Sequence, residues 1–234
     1  MWPEIRPSDR WLGSVVVATL VVAPALHPHG ATLVFVLATI VLLMRCLAHP
    51  EDLVVAARRA MALLLALGYV GMLAACLTAI AIFPDPGTPA GIAPPVGPFT
   101  FGPAALLTLL VIVFAGDTGA YFAGRSLGRH KLYPLVSPKK TIEGSVGGLI
   151  ASIGGAALCA WLLVPQIPQS NALVLGAACG TVAQIGDLAE SMFKRASGTK
   201  DSGTLLPGHG GMLDRLDGVL FAAPVFLAWL IAQS

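Results

Sequence analysis

Charge is what this sequence has least of. Only 11% of its 234 residues are Asp, Glu, Lys or Arg, while 56% are hydrophobic. A water-soluble domain carries about 25% charged residues. A chain this poor in charge lacks the polar groups to cover a water-facing surface. That excludes an ordinary soluble enzyme and leaves lipid as the solvent, in keeping with a mean hydropathy of +0.82. Cysteine is also scarce. Cys46, Cys76, Cys159 and Cys179 each sit inside an apolar run, and none forms a CxxC pair. A disulfide framework or structural zinc site is therefore excluded, and the thiols are expected to pack as small hydrophobes. The net charge is only +2, and no nucleic-acid partner is expected. No small-x-small cleavage site follows the first apolar run, so that run is expected to stay as an uncleaved first span.

What the chain has instead is apolar runs of spanning length. A transmembrane helix needs about 20 mostly apolar residues. Seven runs qualify, at 11–27, 30–48, 59–83, 102–123, 144–165, 170–190 and 213–233. Helices are the default, because open sheet edges do not survive in hydrocarbon. The fold class read from this pattern is an all-α polytopic membrane protein. The turn His27-Pro-His-Gly30 makes the first two spans a tight hairpin.

The 14 Lys and Arg residues orient these spans. Arg6 and Arg10 precede the first, and Arg45, Arg58 and Arg59 lie near the second-to-third junction. Arg125, Arg129, Lys131, Lys139 and Lys140 lie between the fourth and fifth. Lys194, Arg195 and Lys200 lie between the sixth and seventh, with Arg215 at the start of the seventh. With seven spans every basic residue falls on one side. The positive-inside rule makes that side cytoplasmic, with the N-terminus in and the C-terminus out. The Pro/Gly-rich stretch from Pro84 to Pro98 reads as an irregular outer connector. It separates an N-terminal group of spans, 1–100, from a polar-decorated membrane domain, 101–234.

Chemistry concentrates at two polar segments beside that second group of spans. The first runs Asp117-Thr-Gly-Ala-Tyr-Phe-Ala-Gly-Arg125 and continues through Ser137-Pro-Lys-Lys-Thr-Ile-Glu-Gly144. Asp117, Tyr121, Gly124 and Arg125 share one helix face. A carboxylate at the end of an apolar span is costly unless it faces protein or water. Asp117 either pairs with Arg125 or Arg129 or faces a cavity. The stretch from Ser137 to Thr141 reads as a loop whose Lys139 and Lys140 suit phosphate as point charges. The second segment begins at Gln184-Ile-Gly-Asp187-Leu-Ala-Glu190-Ser191 and ends at Asp214-Arg-Leu-Asp217. Asp187 and Ser191 share a helix face, and Asp214 and Asp217, three apart, point the same way. Five acidic side chains, Asp187, Glu190, Asp201, Asp214 and Asp217, crowd one surface beside Lys194, Arg195, Lys200 and Arg215. Hard cations such as Mg²⁺ take oxygen ligands, usually one or two carboxylates with substrate phosphates and water. The pattern suits a metal–nucleotide complex. A salt-bridge network closing two helix ends would explain the charges, but not the glycines around His209 in Pro207-Gly-His-Gly-Gly211. Those imply close backbone approach or positive φ.

The run Ser191-x-Phe-Lys-Arg-x4-Lys-Asp-x-Gly-x2-Leu-Pro-x-His-Gly-Gly-Met-x-Asp-Arg-Leu-Asp217 resembles the signature of the phosphatidate cytidylyltransferase family at every defined position. The Asp117–Arg125 and Ser137–Gly144 blocks are similar to other blocks of that family, and the resemblance covers roughly 114–220. It implies transfer from CTP to phosphatidate, giving CDP-diacylglycerol and pyrophosphate. It also implies Mg²⁺, with Asp187, Asp214 and Asp217 as metal candidates and room for a second cation. Asp187, Asp214, Asp217 and Lys200 are the catalytic candidates it points to. Arg125, Lys139, Lys140, Ser191, Lys194, Arg195, His209 and Arg215 are the substrate-binding ones, with the role of His209 unassigned. The partners implied are CTP, phosphatidate and membrane lipid, and a homodimer is in keeping with the family. The implied location is the inner membrane of a bacterial cell.

Two other classes compete. An ion-coupled transporter would place polar residues near the bilayer midplane, whereas here they cluster at one surface. A related transferase would act on another lipid phosphate or alcohol. The CDP-alcohol phosphotransferase pattern beginning Asp-Gly-x-x-Ala-Arg is absent, since Asp217-Gly218 is followed by Val-Leu-Phe. The chain therefore reads as a maker of CDP-lipid.

Overall fold

The structure, a computed structural model, describes residues 6–48, 52–85, 100–198 and 213–233. The expected site residues Lys200, Asp201 and His209, and the stretch Pro207–Gly211, lie outside the described residues. The chain divides into two compact units, Met1–Ala79 and Ile80–Ser234. Among the described residues, seven helical spans are long and apolar enough to cross a membrane. The protein is thus the all-α, multi-pass membrane protein that composition implied.

In the first unit, α1 (Pro7–Leu26) opens on a proline, which fits the first helical turn because its missing N–H needs no partner there. α2 (Gly30–Ala48) returns after a short turn. Gly30 makes that turn possible, since a Cβ there would strike the carbonyl oxygen of Ala23. α3 (Leu53–Ala66) starts earlier than the apolar run. Asp52 caps it by accepting the Val54 N–H at 2.8 Å, a local signal that a hydropathy reading passes over. A single π-helical stretch, Leu67–Met72, joins it to α4 (Leu73–Ala81), so the third span runs from Leu53 to Ala81. The unit's core gathers Leu20, Leu42, Cys46, Leu63 and Leu67.

The second unit holds α5 (Phe101–Leu127), strands β1 (Lys131–Tyr133) and β2 (Ser137–Thr141), and helices α6 (Ile142–Leu162), α7 (Gln169–Ala196) and α8 (Leu213–Gln233). Without a hydrophobic drive between helices in lipid, association relies on close packing through small residues. α5 and α6 do this at every fourth position. A Cβ on Gly148 would lie 2.8 Å from the Gly116 carbonyl oxygen and 3.0 Å from the Ala120 Cβ. Ser152, fully buried, donates to the Ile112 carbonyl at 2.9 Å. All four cysteines are free thiols, three of them buried.

Two local expectations changed. The stretch Ser137–Thr141 is a strand rather than a loop. It pairs antiparallel with β1, Lys131 opposite Thr141 and Tyr133 opposite Ser137. Pro138 and the absence of alternation hid it. The pairing continues past the strands: the Ile142 N–H donates to the His130 carbonyl at 2.9 Å. Two helices also extend past the apolar runs 102–123 and 170–190. α5 runs on through Arg125, and α7 runs on through Arg195. Hydropathy marks only the part of a helix that lies in lipid, not the turns that continue into polar surroundings.

Candidate active site

The second unit contains a cavity of about 450 Å³, lined from α5 by Asp117, Tyr121 and Arg125 and from β2 by Lys139 and Lys140. α6 adds Ser145, and α7 adds Gln184 and Asp187. Each side chain arrives for a local reason. Asp117, Tyr121 and Arg125 recur at helical spacing, so α5 shows them on one face. β2 leads directly into α6, where Thr141 caps the helix by accepting the Gly144 N–H at 3.1 Å. That short link fixes Lys139 and Lys140 above the start of α6.

Lys140 Nζ lies 2.6 Å from an Asp187 carboxylate oxygen. The charges acting on Asp117 are those of Asp187 and Lys140. Arg125 instead donates to the Tyr121 hydroxyl at 2.9 Å. The backbone N–H groups of Arg129 and His130 donate to Glu143, at 3.1 and 3.3 Å. The cavity reading of Asp117 therefore replaces the helix-end ion pair with Arg125 or Arg129. Asp217, on α8, feels Asp187, Asp117 and Lys140 together. Carboxylates from α5, α7 and α8 thus act on one another, with Lys140 the ammonium common to them.

Asp214 and Asp217 meet different groups. Asp214 accepts from Lys194 at 3.0 Å, and Lys194 also meets Glu190 at 2.5 Å. Asp214, Lys194 and Glu190 form a partly buried clamp between α7 and α8, while Asp217 feels the charges of Asp187, Asp117 and Lys140. Arg195 Nε lies 3.5 Å from the Val136 carbonyl at the hairpin turn. Ser191 is half-buried on α7, and Arg215 is exposed on α8. Lys194 and Arg195, substrate-binding candidates from the sequence, thus meet Glu190, Asp214 and the hairpin turn.

Ser145, Gln184 and Tyr121 were not singled out as site residues, yet they line the cavity. The Ser145 hydroxyl bonds the Gln184 carbonyl oxygen. The Gln184 amide donates back to the Ser145 backbone carbonyl at 3.0 Å. A glutamine inside an apolar span was the available signal, because polar groups in lipid need protein partners. Gln184 lies one turn from Asp187 on α7, so this lock holds α6, which follows directly on the strand bearing Lys140, against α7. Removing it with Gln184→Leu should lower thermal stability. A Ser145→Ala, Gln184→Leu double-mutant cycle should show a coupling of about 1 kcal/mol in thermal unfolding. Additive effects would mean that the two side chains act separately.

The sequence model of the cytidylyltransferase family matches residues 5–232, and the chain belongs to that family. Its relatives include the phosphatidate cytidylyltransferase of Staphylococcus saprophyticus, 44% identical over 126 residues, covering 54% of this chain and 48% of the relative. That of Bacillus subtilis is 42% identical over 132 residues, covering 56% and 49%. That of Haemophilus influenzae is 46% identical over 125 residues, covering 52% and 43%. The chain spans about half the length of the curated relatives it matches.

Among the described residues, no group of three or more His, Cys, Asp or Glu side chains forms a metal cage by itself. The donor set nonetheless suits a hard cation bound jointly with substrate. Asp117, Asp187 and Asp217 offer carboxylate oxygens, with Lys140 the ammonium common to them. Mg²⁺ needs only one or two carboxylates beside phosphates and water.

Proposed function

We propose that this protein transfers the cytidylyl group of CTP to phosphatidate, giving CDP-diacylglycerol and pyrophosphate. The observation that carries the reading is the cavity where Asp187 pairs with Lys140 among Asp117, Arg125 and Lys139. Membership of the cytidylyltransferase family and the names of its relatives support it.

A phosphate oxygen of phosphatidate attacks the α-phosphorus of CTP, and the bond from that phosphorus to the β-phosphoryl oxygen breaks. Pyrophosphate leaves with the bonding electrons. A phosphate monoester is already nucleophilic near neutral pH, so no strong base is required. Arg125, Lys139 and Lys140 hold the phosphates and offset their charge, which is where positioning and electrostatics lower the barrier. Asp117, Asp187 and Asp217 would hold Mg²⁺, and the acidic count admits a second cation. When bound, that metal would neutralise charge on the triphosphate and fix its orientation. Asp214 belongs to the helix clamp in this reading, not to the metal. Lys200, His209 and Ser191 keep the substrate roles that the resemblance implies.

The lipid tails stay in the bilayer, and CTP arrives from the cytoplasm. The positive-inside rule, applied to the basic residues beside the cavity, supports a cytoplasmic location for that end at the inner membrane. Purified protein incubated with radiolabelled CTP, phosphatidate and Mg²⁺ should move label into the organic phase. The label should depend on phosphatidate and vanish with EDTA. Label that needs a different lipid phosphate would reassign the acceptor, and label that persists in EDTA would remove the metal.

A further inference from the structure

We infer that Tyr121 is a positioning residue, whose hydroxyl aims the Arg125 guanidinium at a substrate phosphate without cancelling its charge. That role presupposes cytidylyl transfer at this cavity and adds the group that orients one of its cations.

Arg125 stands in the last turn of α5 and is exposed. An arginine at the end of a span has a long, flexible stem, and its charged head ordinarily reaches outward to water. Here the head folds back along the helix instead. Its Nη1 donates to the Tyr121 hydroxyl at 2.9 Å. Tyr121 lies one turn nearer Asp117 on the same helix face, so the bond draws the guanidinium toward the carboxylate end of the cavity. Both side chains line that cavity.

The choice of acceptor matters as much as the direction. The cavity also holds Asp117 and Asp187, and carboxylate is the strong, bidentate partner of a guanidinium. Yet Asp187 is taken by Lys140. Among the described residues, neither Arg125 nor Lys139 has a carboxylate within ion-pair distance. A phenol oxygen accepts an N–H and carries no charge. Arginine has five N–H donors, so one bond to Tyr121 fixes the fork and leaves four donors and the whole positive charge for an anion. A salt bridge would have oriented the guanidinium and neutralised it together.

The backbone around Tyr121 is closely held. A Cβ on Gly124 would lie 3.0 Å from the Thr141 Oγ1, and one on Gly144 would lie 2.9 Å from the Ala120 carbonyl oxygen. α5 therefore meets the junction of β2 and α6 at residues on either side of Tyr121. Lys139 and Lys140 of β2 line the same cavity as the Tyr121–Arg125 pair. An aromatic residue near a membrane surface also serves as an interfacial anchor, but anchoring leaves the bond to Arg125 unexplained.

The test is Tyr121→Phe in the full chain, with CTP and phosphatidate varied in turn. The ring remains, and Tyr121 is 58% exposed, so the thermal midpoint should hold. KM should rise about tenfold for at least one substrate, the scale of a lost hydrogen bond to a charged group, with a much smaller change in kcat. A rise for CTP puts Arg125 on the triphosphate, and a rise for phosphatidate puts it on the lipid phosphate. Arg125→Gln should raise the same KM. Adding Tyr121→Phe to Arg125→Gln should raise it no further, because the hydroxyl then has no guanidinium to aim. Unchanged KM for both substrates in Tyr121→Phe overturns the role, as do fully additive effects in the double variant. A midpoint that falls as KM rises makes the hydroxyl structural and overturns it too. Wild-type protein that moves no label from CTP to phosphatidate overturns the reaction itself, a failure seen before any variant is made.

Discussion

Asp187→Asn and Asp217→Asn should each lower cytidylyl transfer by about a hundred- to a thousandfold, the scale of removing one placed charge in an active site. The protein should still insert and remain folded. Asp187 is bound to Lys140 by a pair whose side chains are 24% and 38% exposed. Such a pair contributes about 1 kcal/mol or less to stability. Asp217 makes its own hydrogen bond to the N–H of Gly218 at 2.7 Å, which asparagine can reproduce through its amide oxygen. Stability and rate should therefore separate: kcat collapses, while the thermal midpoint moves little. Steady-state kinetics beside thermal unfolding would check this. Retained turnover in both variants would sink the assignment of these carboxylates to the metal–phosphate site.

Lys194→Met should produce the opposite pattern. Lys194 stands between Glu190 and Asp214, whose side chains are only 3% and 14% exposed. Taking away the ammonium leaves two carboxylates facing each other out of water. Breaking a buried pair in this way costs about 3–5 kcal/mol. For a chain of this size that corresponds to a midpoint lower by about 10 °C. The buried thiols Cys159 and Cys179 give the readout, because a thiol-reactive dye reports them only as the bundle opens. Adding Glu190→Gln to Lys194→Met should recover part of the loss by removing one unpaired charge. An unchanged midpoint in Lys194→Met would mean that the clamp does not hold α7 to α8, and Lys194 would return to the substrate-binding set.

The contrast between those two variants shows where sequence reading stopped. Asp214 and Asp217 are three residues apart on one helix, so spacing alone put them on one side and in one role. Different neighbours separate them. Lys194, on α7, captures Asp214, while Asp217 shares the field of Lys140, Asp187 and Asp117. None of these neighbours is legible from α8 itself. Asp117 likewise had Arg125 within helical reach, yet Tyr121 takes the guanidinium.

What the sequence determined by itself is the solvent and the helices. Long apolar runs admit no other secondary structure in lipid, because every backbone N–H and C=O must be satisfied within the segment. That is a local requirement, so seven spans could be counted from residues alone. The chemical repertoire was also legible, since carboxylates and ammoniums at a membrane surface are too costly to be incidental. Only the tertiary structure decided which charge meets which. Those pairings depend on helix rotation, set by the close approach of Gly148 to Gly116 and by the Ser145–Gln184 lock. The strand Ser137–Thr141 was likewise decided by pairing, with Lys131–Tyr133 as its partner, rather than by its own propensity.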